Sequence, residues 1–296
     1  MSAQTVAAVP PRLTPRQQLW RRAWRHKGLV FGATVLAVIV LLAVFAPLVA
    51  PHDPYRQNLL ARMVPPVFLG GTWDHPLGTD ALGRDYLSRL LYGARISLMI
   101  GFVTAMISAV IGSVLGILGG YFGGKVDAVV TFLISVRLAM PVVLVALAVV
   151  ALLGGSLIVM MTVLGLLLWD RFAVVLRTAT RQVRSMEYVA AAEVLGASLP
   201  RILFKDILPN VMSQLIVIAT LEMAHAILLE ASLSFLGLGV RPPTPSWGLM
   251  ISEGKEMLLF QPWLIAIPGV ALFLVVISIN MFGDGVRDIT APEGRN

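Results

Sequence analysis

Residues 96–126 read ISLMIGFVTAMISAVIGSVLGILGGYFGGKV, and the fold turns on whether this is a strand with a phosphate-binding loop or two membrane helices meeting at a turn. Gly119, Gly124 and Lys125 satisfy all but the last position of the pattern G-x-x-x-x-G-K-[ST], where Val126 stands in place of the hydroxyl that would hold Mg²⁺. The run before it is too long and too dotted with glycine for a strand, and no charge falls between Arg95 and Lys125. The stretch therefore reads as a long apolar helix, a tight glycine turn and the start of a second helix.

The rest of the chain agrees. Of 296 residues 57% are apolar and only 13% charged, which excludes an ordinary soluble globular domain and fits a polytopic membrane protein. The absence of cysteine excludes disulfides, thiolate metal sites and cysteine nucleophiles. The formal charge of +7 is spread over short segments beside apolar runs and does not point to nucleic acid.

Six runs are long and apolar enough to cross a bilayer core of ~30 Å: residues 28–50, 95–119, 127–152, 156–176, 211–239 and 262–283. The first is too long for a secretory leader and shows no small-residue cleavage site, so an uncleaved span is expected. Asp170 and Arg171 interrupt the fourth. With residues 1–27 placed in the cytoplasm, fifteen of the 23 Lys and Arg fall in inner segments, seven in outer ones, and Arg137 lies inside a span. That asymmetry places both termini, including the 284–296 tail, on the cytoplasmic side. Trp73, Trp169, Trp247 and Trp263 fall near span ends, where interfacial anchoring is expected.

Three segments are left outside the membrane. Residues 51–94 form an outer segment in which Leu87, Leu90, Leu91 and Ala94 keep the spacing of one apolar helical face, so a helix lying flat on the outer surface is expected. Residues 240–261 form a proline-rich outer loop, and residues 171–210 a long inner loop. The inner loop contains EYVAAAEVLGASLPRILFKDILPN, residues 187–210. Small residues Ala190, Ala191, Ala192 and Ala197 surround Gly196, and Pro209 is expected to end a second helical piece just before the fifth span.

This loop resembles the coupling loop of the inner-membrane permeases of ATP-binding-cassette (ABC) importers, in particular the dipeptide, oligopeptide and nickel group. Their E-A-A, three residues, G, then I-x-L-P signature falls in frame on Ala190, Ala191, Ala192, Gly196, Asp206, Leu208 and Pro209. Further similar strings are HPLGTDALGRD at 75–85, LSRLLYGARISL at 87–98, GYFGGKVD at 120–127, ASLSFLGLGVRPPTPSWG at 231–248 and GDGVRD at 283–288. The likeness runs from about residue 20 to 292. Ala190 departs from the signature glutamate, leaving Glu187 or Glu193 to supply any charge there, and Ser135 and Arg137 depart from the pattern of the third span.

The resemblance implies an all-α, six-helix permease of the type I importer fold, with residues 95–283 as a five-helix core in the bacterial inner membrane. It implies half of a translocation pore, completed by a second homologous permease, with two ABC ATPase subunits beneath and an extracytoplasmic solute-binding protein outside. Surrounding lipid is the only other partner implied, and nucleic acid is not. No cofactor or metal is expected in this chain and it is not itself an enzyme, since ATP and Mg²⁺ would be held by the ATPases. The coupling residues implied are Glu187, Ala190, Ala191, Ala192, Glu193, Gly196, Ala197, Asp206, Leu208, Pro209 and Asn210.

Four ionisable residues, Arg137, Glu222, His225 and Glu230, lie within spans, where unpaired charge is costly. They could line the solute path, or pair with one another and lock the bundle. The alternative of an ion-gradient-driven secondary transporter would use Glu222, His225 and Glu230 as a relay. Glu222 with His225 is too small a set for a metal.

Overall fold

The computed structural model describes residues 21–290; most of the 1–27 segment and the last residues of the 284–296 tail lie outside them. Helix α1 spans Lys27–Val44, α2 Tyr86–Phe122, α3 Gly124–Ala139 and α4 Val142–Leu153. Helix α5 spans Leu157–Leu167, α6 Trp169–Arg184 and α7 Glu187–Val194. Helices α8, Leu208–Phe235, α9, Trp247–Gly254, and α10, Trp263–Thr290, complete the bundle. No strand occurs among the described residues, only an isolated bridge between Thr79 and Asp85.

Five helical segments are each long and apolar enough to cross a membrane, and a sixth arises only if α3 and α4 count as one span bent by 80°. The span expected at 127–152 is thus a broken one. Pro141 supplies no N–H and pushes Met140 out of the helical region, to φ −93° and ψ 123°.

Helix α2 explains why the opening stretch carries so much glycine. Its buried stripe is Ser97, Gly101, Thr104, Ser108, Gly112, Gly116 and Gly120, whereas Met99, Phe102, Met106, Val110 and Val114 are exposed on the opposite side. This reverses the pattern of a soluble amphipathic helix, because lipid accepts the bulky side chains and close helix contact needs the small ones. A Cβ on Gly112 would stand 2.3 Å from the Trp169 carbonyl oxygen, one on Gly116 2.7 Å from that of Ala173, and one on Gly120 2.6 Å from that of Arg177. Three glycines four residues apart let α6 lie directly on the α2 backbone.

Two expectations for the outer end of the bundle change. Leu87, Leu90, Leu91 and Ala94 do not form a separate flat helix; they are the first turns of α2, which runs unbroken for 37 residues. Nor are Trp247 and Trp263 interfacial anchors. Trp247 is buried beside Gly93 and donates its indole N–H to the Leu90 carbonyl at 2.9 Å, and Trp263 is buried edge-on against Tyr86 at 5.3 Å. Trp73 remains exposed.

Residues 51–85 and 236–262 cap one end of the bundle. Asp85 caps α2 by accepting from Ser88 N–H at 2.8 Å. Behind it, Asp80 Oδ2 accepts from Arg84 Nε at 2.6 Å and Arg89 Nη1 at 2.7 Å. Both guanidiniums continue to Glu253 of α9, at 3.2 Å from Arg84 and 2.7 Å from Arg89. The cap is therefore held by one ionic network, with Arg89 wholly enclosed and Glu253 partly exposed.

Candidate functional site: the α7 hinge and the membrane-embedded charges

At the other end of the bundle the chain reverses through Gly123, whose φ of +66° places it in the region that favours glycine. Asp127, one turn into α3, pairs with both Arg177 and Arg181 of α6. The glycine-rich stretch at 119–126 is thus a hairpin clamped to α6.

The 171–210 segment is mostly helix rather than loop. Helix α6 continues to Arg184, with a break at Leu168, and forms with α5 a single candidate span, Leu157–Arg184. The short helix α7 follows. It ends in a paired C-terminal motif in which Gly196 N–H donates to the Glu193 carbonyl and Ala197 N–H to the Ala192 carbonyl, both at 3.0 Å, with Gly196 at φ +77°. The sequence signal at Gly196 is thus a left-handed turn that stops α7.

Pro209 does not end the next helical piece. Residues Leu199–Arg201 lead into a π-helical turn, Ile202–Ile207, and on into α8 without interruption, so that Leu199–Phe235 is one candidate span. Proline removes one N–H from the ladder and crowds the carbonyl four residues back; the wider π turn just before it absorbs both effects. Asn210 donates to the Asp206 carbonyl at 2.7 Å within this turn, and Leu208 packs into the cluster around it.

One side of α7 faces the bundle. Val189 is fully buried in a cluster with Tyr121, Leu176, Val183, Ile202, Ile207 and Val211; Ala192, one turn on, and Ala197, past the Gly196 turn, are half-buried. The rest is open: Glu187, Ala190, Ala191, Glu193 and Gly196 are exposed, as are Val194 and Leu195, at 87% and 86%. Glu193 accepts from Tyr121 Oη–H at 2.8 Å, and Arg184 lies over the Tyr121 ring at 5.1 Å. Tyr121, Val194 and Leu195 join the site only in the folded structure. The exposed pair carried a readable signal, two bulky apolar residues on the side of α7 away from Val189; the Tyr121 contact, 72 positions from its partner, carried none.

The four charged span residues separate into three sites. Arg137 is buried and donates Nε–H to the Leu167 carbonyl and Nη1–H to that of Met140 at 3.4 Å, with Asp170 at 3.8 Å from Nη2. It thereby satisfies carbonyls left open at two helix breaks, the bend before Pro141 and the one at Leu168. Glu222 is fully buried, accepting from Arg171 at 2.9 Å and lying 3.3 Å from His225 Nδ1. Glu230 is held through Oε1 by Ser234 at 2.7 Å and Ser246 at 2.9 Å. The Glu222–His225 pair and Glu230 thus bond to different partners, and a hydrogen-bonded relay joining all three is not formed among the described residues. Ser135, at the departure from the expected pattern, returns its hydroxyl to the Thr131 carbonyl at 2.9 Å.

Residues 108–295 match the family described as binding-protein-dependent transport system inner membrane component, and residues 14–66 match the N-terminal transmembrane domain of oligopeptide transport permease C. The dipeptide transport system permease protein DppC of Escherichia coli K12 is 41% identical, over 97% of this chain and 96% of its own length. The di/tripeptide transport system permease protein DppC of Pseudomonas aeruginosa is 39% identical, over 96% of this chain and 94% of its own. Among solved structures, an inward-facing MetNI methionine ABC transporter superposes with a TM-score of 0.58 at 18% identity, over 70% of this chain and 98% of that one, which supports the shared fold. By its matched region and these full-length relatives, the chain belongs to the inner-membrane components of binding-protein-dependent transport systems, the pore-forming permease subunits of ABC importers, in which the ATPase is a separate subunit.

Proposed function

We propose that this permease forms half of a pore for di- or tripeptides or a related small solute, and that α7 is where it receives force from an ATPase subunit. The observation that carries the reading is the build of α7. A short rigid helix has one face anchored by Val189 and the other presenting Ala190, Ala191, Val194 and Leu195 to solvent, a surface that a partner would cover. A stiff element fixed along its inner face by Val189, and at its C-terminal end by the Gly196 turn and the Tyr121–Glu193 bond, passes on displacement where a flexible tether would absorb it. Glu187, Ala192, Ala197, Asp206, Leu208, Pro209 and Asn210 then shape and seat the lever, with the continuous 199–235 helix carrying its motion into the membrane.

In this reading both termini are cytoplasmic, the ATP and Mg²⁺ sit in two partner ATPases, a second permease completes the pore, and a solute-binding protein docks on the capped end. The peptide class follows the two DppC relatives. Proteoliposomes holding the assembled transporter test it: labelled dipeptide should accumulate with internal ATP and external binding protein in the absence of any ion gradient. Accumulation driven by a proton or sodium gradient without ATP would overturn it.

A further inference from the structure

The string HPLGTDALGRD is spent only in part by the cap. Asp80 and Arg84, paired with each other and through Arg84 with Glu253, use one half of it, but His75 and Asp85 point elsewhere, to His52 at the foot of the first span. His75 Nδ1 lies 2.8 Å and His52 Nδ1 3.7 Å from the same oxygen, Asp85 Oδ1. The two imidazoles face each other with centroids 4.8 Å apart, and the three ligand atoms all lie within 4.8 Å of one another.

One hydrogen bond from His75 would satisfy Asp85 Oδ1 without His52. The second imidazole, also presenting Nδ1 but beyond hydrogen-bond reach, is left over in that account. Protonating both rings would bring two cations face to face. A divalent ion between the three atoms removes the difficulty, since each neutral ring offers a lone pair and the carboxylate offsets half the charge. Ligand bonds of ~2.0–2.1 Å in a tetrahedral arrangement place neighbouring ligand atoms about 3.3 Å apart, between the two distances seen.

The ligands are also fixed by their backbones. Asp85 Oδ2 is engaged by Ser88 N–H, so only Oδ1 is free to face the histidines. His52 N–H donates to Ser88 Oγ at 3.1 Å, tying the end of the first span to the same turn of α2. The His75 carbonyl accepts from Gly78 N–H at 2.8 Å, and the Gly78 carbonyl from Tyr86 N–H at 3.0 Å. Asp85 is 1% exposed at its side chain, His75 17% and His52 41%, so the site is closed beneath and open to solvent at His52, where a water would complete the coordination.

We propose that His52, His75 and Asp85 form a binding site for one divalent transition-metal ion of the zinc class, stapling the end of the first span and the outer segment to the start of α2. The sequence assigned no metal ligand to this chain, because the three residues lie far apart and only the folded cap joins them. The test uses zinc alone with the full chain in lipid nanodiscs, against three variants. Wild type should bind one zinc per chain and its thermal midpoint should rise with zinc. The double variant His52→Gln/His75→Gln should lose at least thirtyfold in affinity and show no zinc-dependent rise. Glutamine at 75 can still donate to Asp85, so folding of this variant is checked by its metal-free thermal midpoint, and Asp85→Asn gives a second disruption. His225→Gln, which removes a histidine elsewhere, should bind as wild type does. Failure of wild type to bind zinc, or binding by the double variant with unchanged affinity and stoichiometry, would overturn the proposal.

Discussion

Tyr121, in the last turn of α2, donates its phenolic hydrogen to Glu193 of α7 at 2.8 Å, so a 37-residue membrane helix and the short exposed one are tied at their ends. A hydrogen bond to a charged acceptor contributes about 1.5–3 kcal/mol, and this one holds the end of α7 that the Gly196 turn closes. Tyr121→Phe keeps the buried ring and should lower the thermal midpoint by only a few degrees, while the number of ATP molecules hydrolysed per dipeptide taken up rises severalfold. An unaltered ratio in proteoliposomes would separate this contact from coupling.

Gly196 has φ +77° and open space around the position its Cβ would take. Any side chain there meets no steric clash within the chain and costs about 1–2 kcal/mol for the left-handed backbone. Gly196→Trp should therefore insert and fold, yet obstruct a partner seated on α7. ATPase activity persisting while uptake falls to background is the expected result, and normal uptake would remove α7 from the coupling path.

The α2 glycines facing α6 have no such room. Gly116→Val would drive side-chain carbon into the Ala173 carbonyl, already 2.7 Å from a single added Cβ. The expected outcome is loss of the folded protein from detergent extracts by size-exclusion chromatography, whereas Val114→Leu, on the exposed side, should be neutral.

Arg137 spans two helix breaks. Replacing it by methionine keeps the bulk but orphans the Leu167 and Met140 carbonyls, at about 1–3 kcal/mol for each acceptor left buried. The thermal midpoint should fall by several degrees, with the apparent affinity for solute unchanged in the surviving protein. A large change in affinity with no loss of stability would instead place Arg137 on the solute path.

Burial pushes the Glu253 carboxyl up to about 7, with Asp80 adding to the rise and Arg84 opposing it. A raised carboxylate means that the folded protein binds this proton more tightly than the unfolded chain does. Its contribution to stability is complete below about pH 4.5 and is lost as the pH climbs to about 7. Thermal midpoints measured across that window should decline more steeply for wild type than for Glu253→Gln, and identical slopes would show that the group does not titrate there.

Hydropathy, glycine spacing and charge asymmetry are local properties, so the sequence by itself determined the membrane class, the apolar spans, the turn at Gly123 and the stop at Gly196. It carried an expected span across Pro141, where the helix breaks, and ended a helical piece at Pro209, where the helix continues, since a proline interrupts a helix unless the backbone before it widens to take the ring. The π turn does so before Pro209; at Pro141 the helix ends, and Arg137 donates to the Met140 carbonyl that the break leaves open. Pairing was left to the tertiary structure: Arg171 with Glu222, Tyr121 with Glu193, and His52 with His75 and Asp85. Those contacts depend on which helices lie side by side, and that is settled by where small residues let backbones approach, information spread over the whole chain.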